Sequence, residues 1–306
     1  MSKLRFLPLV AVVTALPLCA AGPTIVADVR AAIGRGDIAT AEALVEKFRH
    51  DAGDSPEAIE ALSWVGRGAL AAKDYASAVR YAGQTEALAL SALKNRTLDA
   101  EPHLPIALGA AIETEARAMV ANGQRASAIL LLQDQLKQYG ATSIRARLQK
   151  NINLLSLEGK PAPTLTATEF LGAPMPPMTG RPTLLFFWAH WCPDCKAEAP
   201  IVADLMKTYG AAGLQVIGPT QRYGYVAGHA DAPADQELAY IEQVRQQYYG
   251  AIAGMAVPVS QEDCLAYGMD ATPTLVLVDR HGIVTLYHPG GMTRAELEPY
   301  IKALIG

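Results

Sequence analysis

Four cysteines stand in the 306-residue chain, and two of them are spaced for redox chemistry. Cys192-Pro193-Asp194-Cys195 follows the apolar run Thr183-Leu184-Leu185-Phe186-Phe187-Trp188 and leads into a stretch of helical periodicity over residues 197–209. A cysteine at a helix N-terminus lies among backbone N–H groups that lack intrahelical partners. The helix dipole then favours its thiolate, and its pKa falls from about 8.5 into the range of about 3.5–7.5. The second sulfur sits one turn further on, near enough to close a disulfide, which makes the two cysteines a two-electron couple. A zinc knuckle would need four ligands, usually from a second cysteine pair. Only Cys264 and scattered histidines remain. No Thr-x-x-Cys peroxidase pattern surrounds the pair, and no metal or other cofactor is expected.

The elements that must position this pair alternate. Continuous apolar runs at residues 183–188, 214–217, 274–278 and 284–287 suit strands buried on both faces. Helical stretches lie at 197–209, 235–249, 261–267 and 294–304. Asp279-Arg280-His281-Gly282 is a turn between two of the strands, hence a hairpin. Strand and helix alternation ending in a hairpin and a helix predicts an α/β sandwich. Residues 158–182 precede it as an extended, Pro- and Gly-punctuated stretch.

Residues 24–157 differ in kind. Apolar residues recur at three- and four-residue spacing, as in Ala41, Leu44, Val45 and Phe48, with short breakers and no period-two run. Ser55-Pro56-Glu57 has the form of an N-cap with proline at N1. Three segments share a pattern: Gly36-Asp37-Ile38-Ala39-Thr40-Ala41, Lys73-Asp74-Tyr75-Ala76-Ser77-Ala78 and Gly123-Gln124-Arg125-Ala126-Ser127-Ala128. Each is a polar turn followed by a helix start whose small residues let two helices approach. The spacing is less regular than the 34 residues of a tetratricopeptide array. An all-α, helical-hairpin, tetratricopeptide-like domain is expected at 24–157, either a partner-binding groove or a spacer, followed by an α/β domain at 159–306.

Lys3 and Arg5 precede an apolar stretch at residues 6–18, too short for a membrane span but suited to a signal peptide over 1–21. Acylation at Cys19 is disfavoured by Leu18. Export places the mature chain where disulfides persist. The formal charge of −4 offers no basic footprint, so no nucleic-acid partner is expected. Hydrophobic residues at 51% and charged residues at 18% exclude a disordered chain.

Phe187-Trp188-Ala189-His190-Trp191-Cys192-Pro193-Asp194-Cys195 resembles the thioredoxin superfamily. Glu198 and Pro200 extend the pattern to that of its TlpA/ResA-like extracytoplasmic thiol–disulfide oxidoreductases. Thr272-Pro273-Thr274 resembles the family's cis-proline segment, and residues 278–284 its following hairpin. The resemblance covers about 159–306 and implies a thioredoxin-like fold. Classical thioredoxins carry a buried acid where this chain has Phe186, so Glu198, one turn beyond Cys195, becomes the candidate proton acceptor. Cys192 precedes the helix and is expected to be the more exposed of the pair, which makes it the candidate attacking thiol and Cys195 the resolving one. Trp191, Thr272 and Pro273 are the candidate substrate-binding residues. Cys264 reads as a buried apolar residue rather than a third redox thiol. Residues 219–250 read as a solvated insertion; the alternative is that Arg222, Tyr223, Tyr225 and His229 shape substrate access.

The expected function is reduction of disulfides in exported, periplasmic or otherwise extracytoplasmic proteins. An upstream thiol electron donor, for which a membrane protein is a candidate, and a protein partner of the helical domain are also expected. The alternatives are an oxidase or isomerase using the same pair, or a helical adaptor with a passive thioredoxin-like module.

Overall fold

The computed structural model describes residues 24–305. The expected signal peptide at 1–21 lies outside the described residues.

Seven helices come first: α1 (Ile25–Gly34), α2 (Ile38–Ala52), α3 (Pro56–Ala71), α4 (Tyr75–Ala92), α5 (His103–Ala121), α6 (Arg125–Tyr139) and α7 (Arg145–Ser156). Local chemistry starts them where the residues allow. Ser55 accepts the Ala58 N–H with Pro56 at the first helical position, as its residue types predict. Asp37 and Asp74 cap α2 and α4 in the same way.

The three repeated segments adopt one turn. Gly36, Lys73 and Gly123 all have positive φ, at 76°, 63° and 80°. In each case this N–H and the next one donate to carbonyls of the preceding helix: Ile33 and Ala32, Leu70 and Ala69, Val120 and Met119. The alanine five positions on, Ala41, Ala78 and Ala128, is fully buried each time. Small side chains there bring the antiparallel helices together. Two cores result, one around Val29, Val45 and Val65 under α1–α4, the other around Leu104, Leu108 and Leu132 under α3–α7.

The second half is built on a six-stranded mixed sheet of order β1-β4-β3-β2-β5-β6. Its strands are β1 (Phe170–Gly172), β2 (Thr183–Phe187), β3 (Gln215–Ile217), β4 (Ala256–Pro258), β5 (Thr274–Val278) and β6 (Val284–Pro289). β2, β3 and β4 run parallel, while β5 is antiparallel to β2 and β6 to β5. Helices α8 (Pro193–Tyr209), α9 (Ala234–Val244), α10 (Gln261–Ala266) and α11 (Arg294–Ile305) flank it. Alternation along β2 divides its side chains. Leu184 and Phe186 enter the core shared with α8, α9 and α11, while Leu185 and Phe187 enter the core shared with α10 and Tyr267.

The halves meet through α7. Arg145 pairs with Glu262 at 2.6 Å, Lys150 with Asp270 at 2.8 Å, and Asn153 donates to the Ala266 carbonyl. Gly268, at φ 63°, lets the chain pass against α7; a Cβ there would fall 2.3 Å from the Lys150 nitrogen. Burial opposes ionisation of Asp270, but Lys150 and Arg147 outweigh it and hold its carboxyl below the usual range.

Candidate active site

β2 delivers the chain to the C-terminal edge of the sheet, and Trp188 anchors it there. That side chain is fully buried, donates its indole N–H to the Gly218 carbonyl at 2.9 Å, and packs on Tyr249. Four residues on, Cys192 is the N-cap of α8, with Pro193 in the first turn. The Cys195 backbone N–H donates to the Cys192 sulfur at 3.0 Å. The two cysteines are joined as a disulfide with Cα atoms 5.4 Å apart. Both are buried, Cys192 at 2% exposure and Cys195 at 0%, so exposure distinguishes them little. Position does: only the Cys192 sulfur occupies the cap, where it accepts an unpaired N–H of the helix start.

The loop before β5 closes the other side. The Thr272–Pro273 peptide bond is cis, and the Thr272 carbonyl oxygen lies 3.5 Å from the Cys192 sulfur. Thr272 and Pro273 are thus brought to the pair, 80 residues away in sequence. Trp191 is 42% exposed beside it, with its ring edge-on to Tyr223 at 5.5 Å.

Glu198 is 5% exposed. Burial pushes its carboxyl up; the Met292 N–H, 3.3 Å from Oε1, opposes this, and Glu296 adds to it. Gly291 makes room for it, since a Cβ there would sit 2.8 Å from Oε2 and 3.8 Å from the Pro273 ring. Glu198 therefore lies under the cis-proline loop, one turn along α8 from Cys195. The helix continues through Pro200, which cannot donate to the Lys196 carbonyl.

The connection over residues 219–250 is solvated at 227–231 and 233–236 but packs into the domain elsewhere. Glu237 is 1% exposed, and its carboxylate accepts the Tyr223 and Gly224 N–H groups. It pairs at 3.2 Å with Nε2 of His190, itself 1% exposed. Tyr223, Tyr225 and Tyr240 stand edge-on around the imidazole, with ring centres 5.3–5.4 Å away. Burial holds His190 below its ordinary pKa, against the opposing pull of Glu237. The insertion thus packs behind the Trp191-Cys192 turn. Glu237 was not among the sequence candidates; a carboxylate 47 residues from its partner carries no local signal. Arg222 turns instead to Glu169, at 2.7 Å.

Cys264 is buried on the opposite face of the sheet, among Phe187, Tyr267 and Tyr223, and burial pushes its thiol far up. Among the described residues no three His, Cys, Asp or Glu side chains gather so as to hold a metal ion.

Residues 177–305 match the family model of a thioredoxin-like domain. This half of the chain is a thioredoxin-like domain. The thiol-disulfide oxidoreductase ResA of Bacillus anthracis is 29% identical over 148 residues, 48% of this chain and 78% of the relative. The thiol:disulfide interchange protein DsbE of Xylella fastidiosa is 27% identical over 147 residues, 47% of this chain and 66% of the relative. Among solved structures, a thiol:disulfide interchange protein of the thioredoxin family from Chlorobium tepidum is 20% identical. It covers 42% of this chain and 83% of its own, with a TM-score of 0.34. The thioredoxin-like domain model begins after α7, so it leaves the seven helices unmatched.

Proposed function

We propose that this chain is a thiol–disulfide oxidoreductase that reduces disulfides of exported proteins through Cys192 and Cys195. The observation that carries this is the placement of the Cys192 sulfur. It caps α8, accepts the Cys195 N–H, and faces the Thr272 carbonyl across a seam that the partly exposed Trp191 borders. The ResA and DsbE relatives are named for the same chemistry.

In the reduced enzyme the Cys192 thiolate attacks one sulfur of a substrate disulfide. The other substrate sulfur leaves as a thiolate and takes a proton from solvent. Cys195 then gives its proton to the Glu198 carboxylate and attacks the Cys192 sulfur. The second substrate sulfur departs as a thiolate and takes the proton from Glu198, leaving a dithiol product, the Glu198 carboxylate and the Cys192–Cys195 disulfide. A thiol donor returns two electrons and two protons. The raised pKa of Glu198 suits it to accept a proton near neutrality. Trp191, Thr272 and Pro273 border the approach to the sulfur.

The expected signal peptide and the redox pair agree on an extracytoplasmic site of action, where oxidised substrates exist. The reverse reaction would use the same atoms, and the reduction potential decides direction. Equilibration of the pair in a dithiothreitol redox series is expected to give a value below about −250 mV; a value near about −120 mV overturns the reductase reading.

A further inference from the structure

The helical half and the thioredoxin-like domain enclose a groove of about 830 Å³. Its helical wall is apolar where Val120, Leu132, Leu154 and Leu155 face it, and Leu154 is 47% exposed. Its other wall is Ala271, His288 and Pro289. Those residues belong to the redox centre's own scaffold. Ala271 immediately precedes Thr272, whose carbonyl contacts the Cys192 sulfur. Pro289 pairs with Thr274, and the Gly290 N–H donates to the Pro273 carbonyl. The groove therefore begins one residue from the contact with the reactive sulfur, and an extended residue spans about 3.3–3.6 Å.

Its charge is opposite to that of the chain. A side pocket of about 310 Å³ shares Glu113, Arg117 and Lys150 with the groove and adds Arg67 and Arg147. With Lys73 these make five cations. Two carboxylates answer them. Asp270 takes Lys150 and Arg147, and Glu113 stands 3.6–3.9 Å from Lys150, Arg147 and Arg117. Arg67 and Lys73 have no carboxylate within 4.0 Å among the described residues. Burial, with the like charge of Arg147, holds the Arg67 guanidinium below its ordinary value against the pull of Glu113, Glu60 and Asp270, and the guanidinium lies over the Trp64 ring at 4.3 Å. The excess positive charge stands out in a chain of formal charge −4. Interleaved cations and leucines suit carboxylates and apolar side chains together.

We propose that this groove binds an extended segment of the substrate protein, rich in Asp or Glu with apolar residues between, that flanks the disulfide being reduced. The proposal rests on the oxidoreductase reading and adds the class of polypeptide it selects. The segment leaves the sulfur over Ala271, lays apolar residues on Leu154 and Leu155, and sets carboxylates against Lys73, Arg117 and Arg67. The helical half thereby supplies specificity to a centre whose chemistry is wholly in the other half.

The test compares the full chain with the Lys73→Glu/Arg117→Glu variant; both side chains are exposed. Two disulfide-containing peptides are used, one with flanking Glu and Leu, one with flanking Lys and Leu. Each rate is divided by that for hydroxyethyl disulfide, which carries neither a carboxylate nor an apolar side chain for the groove. The wild type is expected to favour the acidic peptide at least tenfold in kcat/KM, and the variant to lose that preference. Equal rates on the two peptides, or a preference that survives charge reversal, overturns the proposal. Binding of the acidic peptide with its cysteines replaced by serine reads the groove without redox chemistry. A Kd at least tenfold weaker for the variant supports the groove, and an unchanged Kd overturns it. Failure to reduce hydroxyethyl disulfide alongside such binding would sink the oxidoreductase reading and leave the groove standing.

Discussion

At the cap of α8 one backbone N–H separates the roles of two otherwise similar cysteines. Cys195→Ser is expected to accumulate mixed disulfides through Cys192, because no second sulfur remains to release them; mass mapping of the trapped adduct checks this, and adducts trapped instead by Cys192→Ser would reverse the assignment. Glu198 has a raised pKa through burial. Below the ordinary carboxyl pKa it is protonated in both folded and unfolded chains, and its stabilising contribution is complete. As pH rises through its higher folded value the native state must ionise a buried carboxyl, and that contribution is lost. Glu198→Gln, which keeps an acceptor for the Met292 N–H, is expected to melt above the wild type at pH 8 and level with it near pH 4. The same variant is expected to resolve mixed disulfides roughly 10²-fold more slowly, the lower end of what a positioned base contributes. Stopped-flow release of a thiol-labelled substrate across pH 5 to 9 measures it, and a wild-type rate throughout would remove Glu198 from proton transfer. The cysteine pair, the cis-proline and the place of Glu198 beside them were legible because they lie in short local patterns. The His190–Glu237 pair was not, since a buried hydrogen-bonded pair across an insertion depends on how a loop folds back.

Among the elements, the three repeated turns show how a helical array tolerates an imperfect repeat. Gly36 and Gly123 take the left-handed conformation freely, whereas Lys73 holds it at φ 63° with a β-carbon. Left-handed backbone costs a non-glycine residue about 1–2 kcal/mol. Lys73→Gly is therefore expected to stabilise the chain by about 1 kcal/mol in urea unfolding, and Gly123→Ala, with open space around its added carbon, to destabilise it by a similar amount. The turns could be read from sequence because polar residues and a following small-residue helix start mark them. β2 and β5 were legible as apolar runs of full strand length. β1 and β4 were not. Each has three residues, one ends at Gly172 and the other at Pro258, and neither is long enough to show a period. The start of α8 was placed late, at residue 197, because Pro193 and Asp194 interrupt the apolar pattern while serving as its first turn.

For the whole molecule, α7 belongs to both halves. Asp270, three residues before the cis-proline, neutralises Lys150 and Arg147 of α7. Its folded carboxyl pKa is depressed, so its contribution is present above the ordinary value of about 3.9 and fades as pH falls through the folded one. Asp270→Asn is expected to cost about 2 kcal/mol at pH 7 and to flatten the loss of stability below pH 4, as followed by urea midpoints. Gly268 adds a steric half to this bond, since even a methyl group there would collide with the α7 backbone. The loop that faces the reactive sulfur is thus fitted to a helix from the other side of the apparent domain boundary. This bears on how such a chain could be assembled from parts. A gene fusion joined after residue 157 would present Gly268 and Asp270 to a foreign helix and leave the redox loop unbraced. A fusion joined before Arg145 would carry α7 along and could exchange the six preceding helices as a cassette. In this chain the brace of the redox loop therefore begins one helix earlier than its sheet suggests.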